Sequence, residues 1–238
     1  MYLLVGVMMA MAATVASALG FGFNLLAAPL LVSLYDPKHI IPALHMAWVP
    51  IGVVLLIHHR RHVKPSRIGW WLILAIPGLV AGVWMLDLLD RDVMRRIVGT
   101  VTVVCALLLA CRQRYPIKDE RWWMLGAGGL SGLLGGSTSM SGPPIVLLGL
   151  NQKWDTVPFR ADLLGYFTCL SAVCIVLLGW RGMLSAQSVD YAVASSPGLV
   201  VGYLVGTTLA RYVVGKGFRY AALGLLFAAG MTPWLHPS

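Results

Sequence analysis

Charge is the scarcest commodity in this chain. Asp, Glu, Lys and Arg make up 11% of its 238 residues, where a soluble domain carries about 25%. None falls between Ile68 and Leu86, or between Ile97 and Ala110. Long polar loops are missing as well: the longest, His58 to Arg67, has ten residues, which excludes a separate soluble domain. Acidic residues number nine, and six of them, Asp87, Asp90, Asp92, Asp119, Glu120 and Asp155, fall in loops. That leaves little material for carboxylate catalysis or a cation cage. The four cysteines, Cys105, Cys111, Cys169 and Cys174, have neither CxxC nor metal-ligand spacing; they read as small core residues, and no metal or other cofactor is expected. No GxxxxGK[ST] loop is present, so this chain does not hydrolyse ATP by that route. The first apolar run ends in Ala16-Ser17-Ala18 but has no basic stretch ahead of it, so it reads as structure rather than as a cleaved signal.

What is abundant is apolar sequence, 58% of residues, with a mean hydropathy of +0.79. Uncharged runs of about 18 residues or more read as membrane spans, so the chain is expected to be an all-α polytopic membrane protein with the lipid bilayer as its solvent. The net charge of +9 then reads as loops facing anionic lipid, not as a nucleic-acid surface. Most tryptophans, among them Trp70, Trp71, Trp122, Trp123, Trp154 and Trp180, fall near the ends of apolar runs and read as interfacial anchors; Trp48 is mid-run.

The apolar segments repeat in order. Residues 1–115 read as a hairpin over 2–34 and spans over 40–57, 68–86 and 94–111. Residues 116–238 read as a hairpin over 122–152 and spans over 158–180, 187–209 and 218–235. Gly20 and Pro29 match Gly135 and Pro144, and Pro77-Gly78-Leu79-Val80-Ala81-Gly82 matches Pro197-Gly198-Leu199-Val200-Val201-Gly202. If 2–34 and 122–152 each crossed the membrane once, nine of the eighteen Lys and Arg would lie on the side of His58–Arg67, which is no bias. If each turns back at its Gly-rich break, that side holds 13 against 5. The positive-inside rule therefore favours re-entrant hairpins and two inverted repeats.

The breaks are where chemistry is expected. Each interrupts an apolar run and ends at a proline, through Gly20, Gly22 and Asn24 to Pro29, and through Gly136, Ser137, Thr138, Ser139 and Ser141 to Pro143-Pro144. Irregular backbone is tolerated at membrane depth only where protein buries it or a cavity solvates it. Half-helices are expected to start at about Asn24 and Ser139, with their N-termini facing each other; unpaired N–H groups there bind small anions. Asn24, Ser137, Thr138, Ser139 and Ser141 add side-chain donors. The competing reading is that Gly and Ser only let helices pack closely. His45, inside an apolar run, is a candidate to bind the anion or carry a proton, or is a neutral core histidine bonded to a carbonyl. Arg160 is a candidate on the anion's route or the partner of Asp162, and Asp162 is a second candidate proton carrier. His58, His59 and His62 sit in the basic loop and read as part of the orientation signal.

The paired motifs Gly20-Phe21-Gly22-Phe23-Asn24 with Pro29 and Gly132-Leu133-Leu134-Gly135-Gly136-Ser137-Thr138 with Pro143-Pro144, together with Pro77-Gly78 and Pro197-Gly198, carry a resemblance. The chain resembles the sulfite exporter TauE/SafE family of membrane permeases over essentially its whole length. That resemblance implies a secondary transporter for small sulfur-containing anions such as sulfite, thiosulfate or organosulfonates, in a bacterial inner membrane. An anion-selective channel, a carrier of small carboxylates and a membrane enzyme built on the serine-rich run are the competing functions. Proton coupling and a homo-oligomer are left open by the sequence.

Overall fold

The computed structural model describes residues 2–19, 23–111, 119–209 and 216–235. Gly20, Phe21 and Gly22 lie outside the described residues. Among the described residues the elements are all helical: α1 (Tyr2–Leu19), α2 (Phe23–Leu34), α3 (Pro37–His59), α4 (Pro65–Leu88), α5 (Arg91–Cys111), α6 (Glu120–Thr138), α7 (Gly142–Gln152), α8 (Thr156–Trp180), α9 (Ala186–Leu209) and α10 (Lys216–Leu235), with a 3₁₀ turn at Arg60–His62. Five of them, α3, α4, α5, α8 and α9, are long and apolar enough to cross a membrane. With few residues to spare in loops, the helix starts are set by local chemistry. Asp36 accepts the Lys38 N–H at 2.8 Å ahead of Pro37, and Asp119 accepts the Arg121 N–H at 3.1 Å.

The side-chain contacts fix which helix ends lie together. Trp154, just past α7, donates its Nε1–H to Glu120 at the start of α6 at 2.9 Å. The Arg67 guanidinium, at the start of α4, stacks over the same indole at 4.1 Å. Both outer ends of α6–α7 therefore sit at the end of the bundle that carries the 60–67 loop, as a re-entrant hairpin requires and a single crossing forbids. At the opposite end Arg181, after α8, pairs with Asp87 near the end of α4 and lies over Trp84. There Lys38 Nζ donates to the Asp87 carbonyl at 2.7 Å, and His39 bonds Ser185 at 2.9 Å.

Small residues do the helix packing. Added Cβ atoms at Gly128, Gly132 and Gly136 of α6 would run into the α4 backbone at Trp71, Ala75 and Leu79. Those at Gly198, Gly202 and Gly206 of α9 would meet α1 at Gly6, Ala10 and Thr14. The Gly-x-x-x-Gly faces thus serve contacts inside the chain, where close backbone approach replaces the hydrophobic drive that lipid does not supply. One expectation is corrected here. Trp71 is no interfacial anchor: it is 0% exposed and packs edge-on to Tyr166, with Trp154 and Phe159 beside it.

Asp162 is also 0% exposed. Its carboxylate accepts the Lys64 N–H at 2.6 Å and Arg67 Nη1 at 2.7 Å, which ties α8 to the start of α4. Removing one partner of a buried pair strands a charge, at about 3–5 kcal/mol. Because Arg67 is partly exposed, the low end applies. Arg67→Ala is expected to lower the melting temperature in detergent markedly, and Arg67→Ala/Asp162→Asn to recover most of the loss. A double variant as unstable as the single one would contradict this.

Candidate functional site

The two breaks meet. Asn24, in the first turn of α2, donates Nδ2–H to Ser139 Oγ, in the turn before α7, at 3.1 Å. These two residues lie 115 positions apart in the sequence, the same spacing as Gly20 with Gly135 and Pro29 with Pro144. Beneath them lies a cavity of about 250 Å³, lined at its head by Phe23, Asn24, Leu25, Trp48, Ser139, Met140, Ser141, Gly142 and Ser171. Its walls continue along α3 through Ile51 and Leu55 to His59, and along α8 through Phe167, Leu164 and Leu163 to Arg160. His59 and Arg160 stand at the basic end of the bundle, so the cavity runs from the paired breaks toward that end.

The second break lies slightly later than its glycines suggest. Gly136, Ser137 and Thr138 form the last turn of α6 rather than the break. The Ser137 hydroxyl donates to Leu133 O and that of Thr138 to Leu134 O, each at 2.7 Å. Gly136 is pressed against Leu79 and Val83 of α4. These three line no part of the cavity wall described above. The chain turns at Ser139, which adopts the left-handed region at φ 62° and returns its N–H to Gly135 O at 2.9 Å. The half-helix then starts at Gly142, not at Ser139. Since Pro143 and Pro144 carry no N–H, Gly142 alone among its first three residues offers a backbone donor. An anion held here draws on side chains more than on the helix end.

Residues that the sequence reading did not single out hold the turn in place. Tyr166 donates to Ser131 Oγ at 2.9 Å, and Ser131 in turn donates to the Ser141 carbonyl. His45 is 1% exposed and sits between α6 and α8, with Nε2 3.0 Å from Gly135 O and Nδ1 3.0 Å from Ser171 Oγ. A carbonyl only accepts, so Nε2 carries the proton. In the neutral ring Nδ1 then accepts from Ser171, whose oxygen faces the cavity with its lone pairs. His45 thus stands one hydroxyl away from the cavity. Arg160 is exposed at the mouth, and Asp162 turns to Arg67 instead of to it. Two buried polar atoms of the cavity wall, Asn24 Oδ1 and Trp48 Nε1, have no hydrogen-bond partner among the described residues. Trp48 stacks on Phe23 with ring centroids 6.2 Å apart. Of the residues nominated from sequence, Asn24, Ser139, Ser141 and Arg160 share the cavity, and Gly20 and Gly22 lie outside the described residues. Ser171, Phe167 and His59 were missed, because nothing in an apolar run or a basic loop marks which face will line a void.

Comparison with known proteins adds an independent line. Residues 4–232 match the family model described as sulfite exporter TauE/SafE. A relative from Cupriavidus necator, named probable sulfite/organosulfonate exporter TauE, is 27% identical over 179 residues, covering 70% of this chain and 69% of that protein. No solved structure matches.

Proposed function

The chain belongs to the sulfite exporter TauE/SafE family of integral membrane transporters, and on that footing we propose that it carries small sulfur-containing anions, sulfite or organosulfonates, across a bacterial inner membrane by alternating access. The observation that carries this reading is the Asn24–Ser139 hydrogen bond at the head of the cavity. Turning the Asn24 amide over lets the Ser139 hydroxyl donate to Oδ1 and frees both Nδ2 protons. These, with Ser141, the Gly142 N–H and Trp48 Nε1–H, give a cluster of neutral donors suited to sulfonate or sulfite oxygens.

Inverted repeats fit the pairing of helices. α1 lies on α9 as α6 lies on α4, while α3 meets α8 and α5 meets α10. Exchanging the halves maps the α1–α9 pair onto α6–α4 and the α3–α8 and α5–α10 pairs onto themselves, and equivalent residues Asn24 and Ser139 touch, as they would beside a two-fold axis. With the basic end taken as cytoplasmic, the cavity faces inward. The Arg181–Asp87 pair, Lys38 and the His39–Ser185 bond close the other side. An outward-facing form would have to break these contacts. Should a proton accompany the anion, His45, one hydroxyl away from the cavity, is better placed than Asp162, which faces Lys64 and Arg67 and does not line it.

The test is flux. Proteoliposomes loaded with sulfite or methanesulfonate are expected to lose the anion at a saturable, protein-dependent rate, followed by ion chromatography. No loss above protein-free vesicles would end the carrier reading, and loss that grows linearly with concentration and carries current would make the protein a channel.

A further inference from the structure

We propose that the cavity selects sulfonates bearing an apolar body over bare inorganic sulfite; this rests on the anion-carrier reading and names its substrate class. Along α3 and α8 the polar groups lie at two ends, while Ser17, Tyr203 and Thr207 line the side made by α1 and α9. At the head are Asn24, Ser139, Ser141 and Ser171, and at the mouth Arg160 and His59. From Trp48 to His59 along α3, and from Ser171 to Arg160 along α8, is about 16 Å at 1.5 Å per residue. Between those ends α3 presents Ile51 and Leu55, α8 presents Leu163, Leu164 and Phe167, and α9 adds Leu199.

An inorganic anion held at the head touches little of that wall and leaves it to water. A sulfonate with its oxygens on the head donors places its carbon chain along the wall instead, and the methylenes leave water. The cavity, at about 250 Å³, approaches the size of sites that enclose whole organic ligands, about 300–1,000 Å³. A second charge along the ligand would face the apolar side chains of α3 and α8, where an ammonium with no carboxylate partner is costly.

The experiment is a ligand series on the purified full chain in detergent: sulfite, methanesulfonate, propanesulfonate, pentanesulfonate and the ammonium-bearing taurine. Binding is read by calorimetry below the concentrations at which the ligands self-associate. Affinity is expected to rise about two- to fourfold per methylene, with taurine weaker than propanesulfonate. Phe167→Ala is expected to flatten the rise, so that pentanesulfonate loses more affinity than methanesulfonate does. Leu164→Ser, at a half-buried position, serves the same purpose if the first variant misfolds. A flat series, sulfite as the tightest ligand, or a rise untouched by both variants overturns the inference while the anion-carrier reading stands. Failure of every sulfur anion to bind overturns both.

Discussion

Gly132→Leu is expected to leave no monodisperse folded protein after extraction in detergent, while Gly126→Ala melts within a few degrees of the parent. An ideal Cβ at Gly132 would lie 2.7 Å from the Ala75 carbonyl carbon and 2.8 Å from its Cα. Those neighbours are backbone, so no rotamer change relieves the clash, and α4 and α6 must move apart. Gly78, Gly82, Gly128 and Gly136 make the same close approach along that seam, so separation at one point strips contacts from all of them. Overpacking typically costs about 1–3 kcal/mol, and more where nothing can yield. Since helix association in lipid relies on packing, even Gly132→Ala is expected to lower the melting temperature by about 5–10 °C, at 2–4 °C per kcal/mol for a chain of this size. At Gly126 nothing lies within 4 Å of the added Cβ, and alanine there gains the small helix preference over glycine. A Gly132→Leu protein that purifies and melts like the parent would mean that α4 and α6 are not packed through this face.

The glycines show both how far the chain's pattern could be read and where it misled. Helix limits followed the apolar runs to within a few residues: the run over 68–86 became α4 at Pro65–Leu88, and that over 187–209 became α9 at Ala186–Leu209. The turning back of α6–α7 was visible in the Lys and Arg distribution, because charge reports on sidedness without any knowledge of contacts. The position of the second break was less legible. Gly135 and Gly136 look like helix breakers, yet Gly128, Gly132 and Gly136 recur every fourth residue, which is the spacing of a packing face. Read that way, they belong inside the helix, and the left-handed turn falls to Ser139, a residue type with no strong preference for it. Asp162 found Arg67 rather than its near neighbour Arg160, a contact that joins distant segments and leaves no local trace. Trp70 and Trp71 are adjacent, and only packing decides that Trp71 enters the core.

Asn24→Asp is expected to abolish anion binding and flux while leaving the fold intact. The substitution is nearly isosteric. Ser139 Oγ, 3.1 Å from Asn24 Nδ2, is a hydroxyl and can donate to the new carboxylate, so the contact between α2 and the turn before α7 survives. What changes is the charge at the head of the cavity. A carboxylate about 4 Å from a bound sulfonate repels it by roughly 4 kcal/mol at an effective dielectric constant of 20, which is about a thousandfold in affinity. Lowering the pH enough to neutralise the carboxylate is expected to restore part of the binding, because the protonated acid is again a neutral donor. Ser139→Ala makes the useful contrast: it removes the hydroxyl partner without adding charge, and is expected to weaken binding by about tenfold, the scale of one hydrogen bond. Calorimetric titration with methanesulfonate, paired with a thermal melt of each variant, checks both. If Asn24→Asp melts and binds like the parent, the anion does not sit where α2 meets the turn before α7, and the Asn24–Ser139 bond is a helix tie rather than part of a binding site.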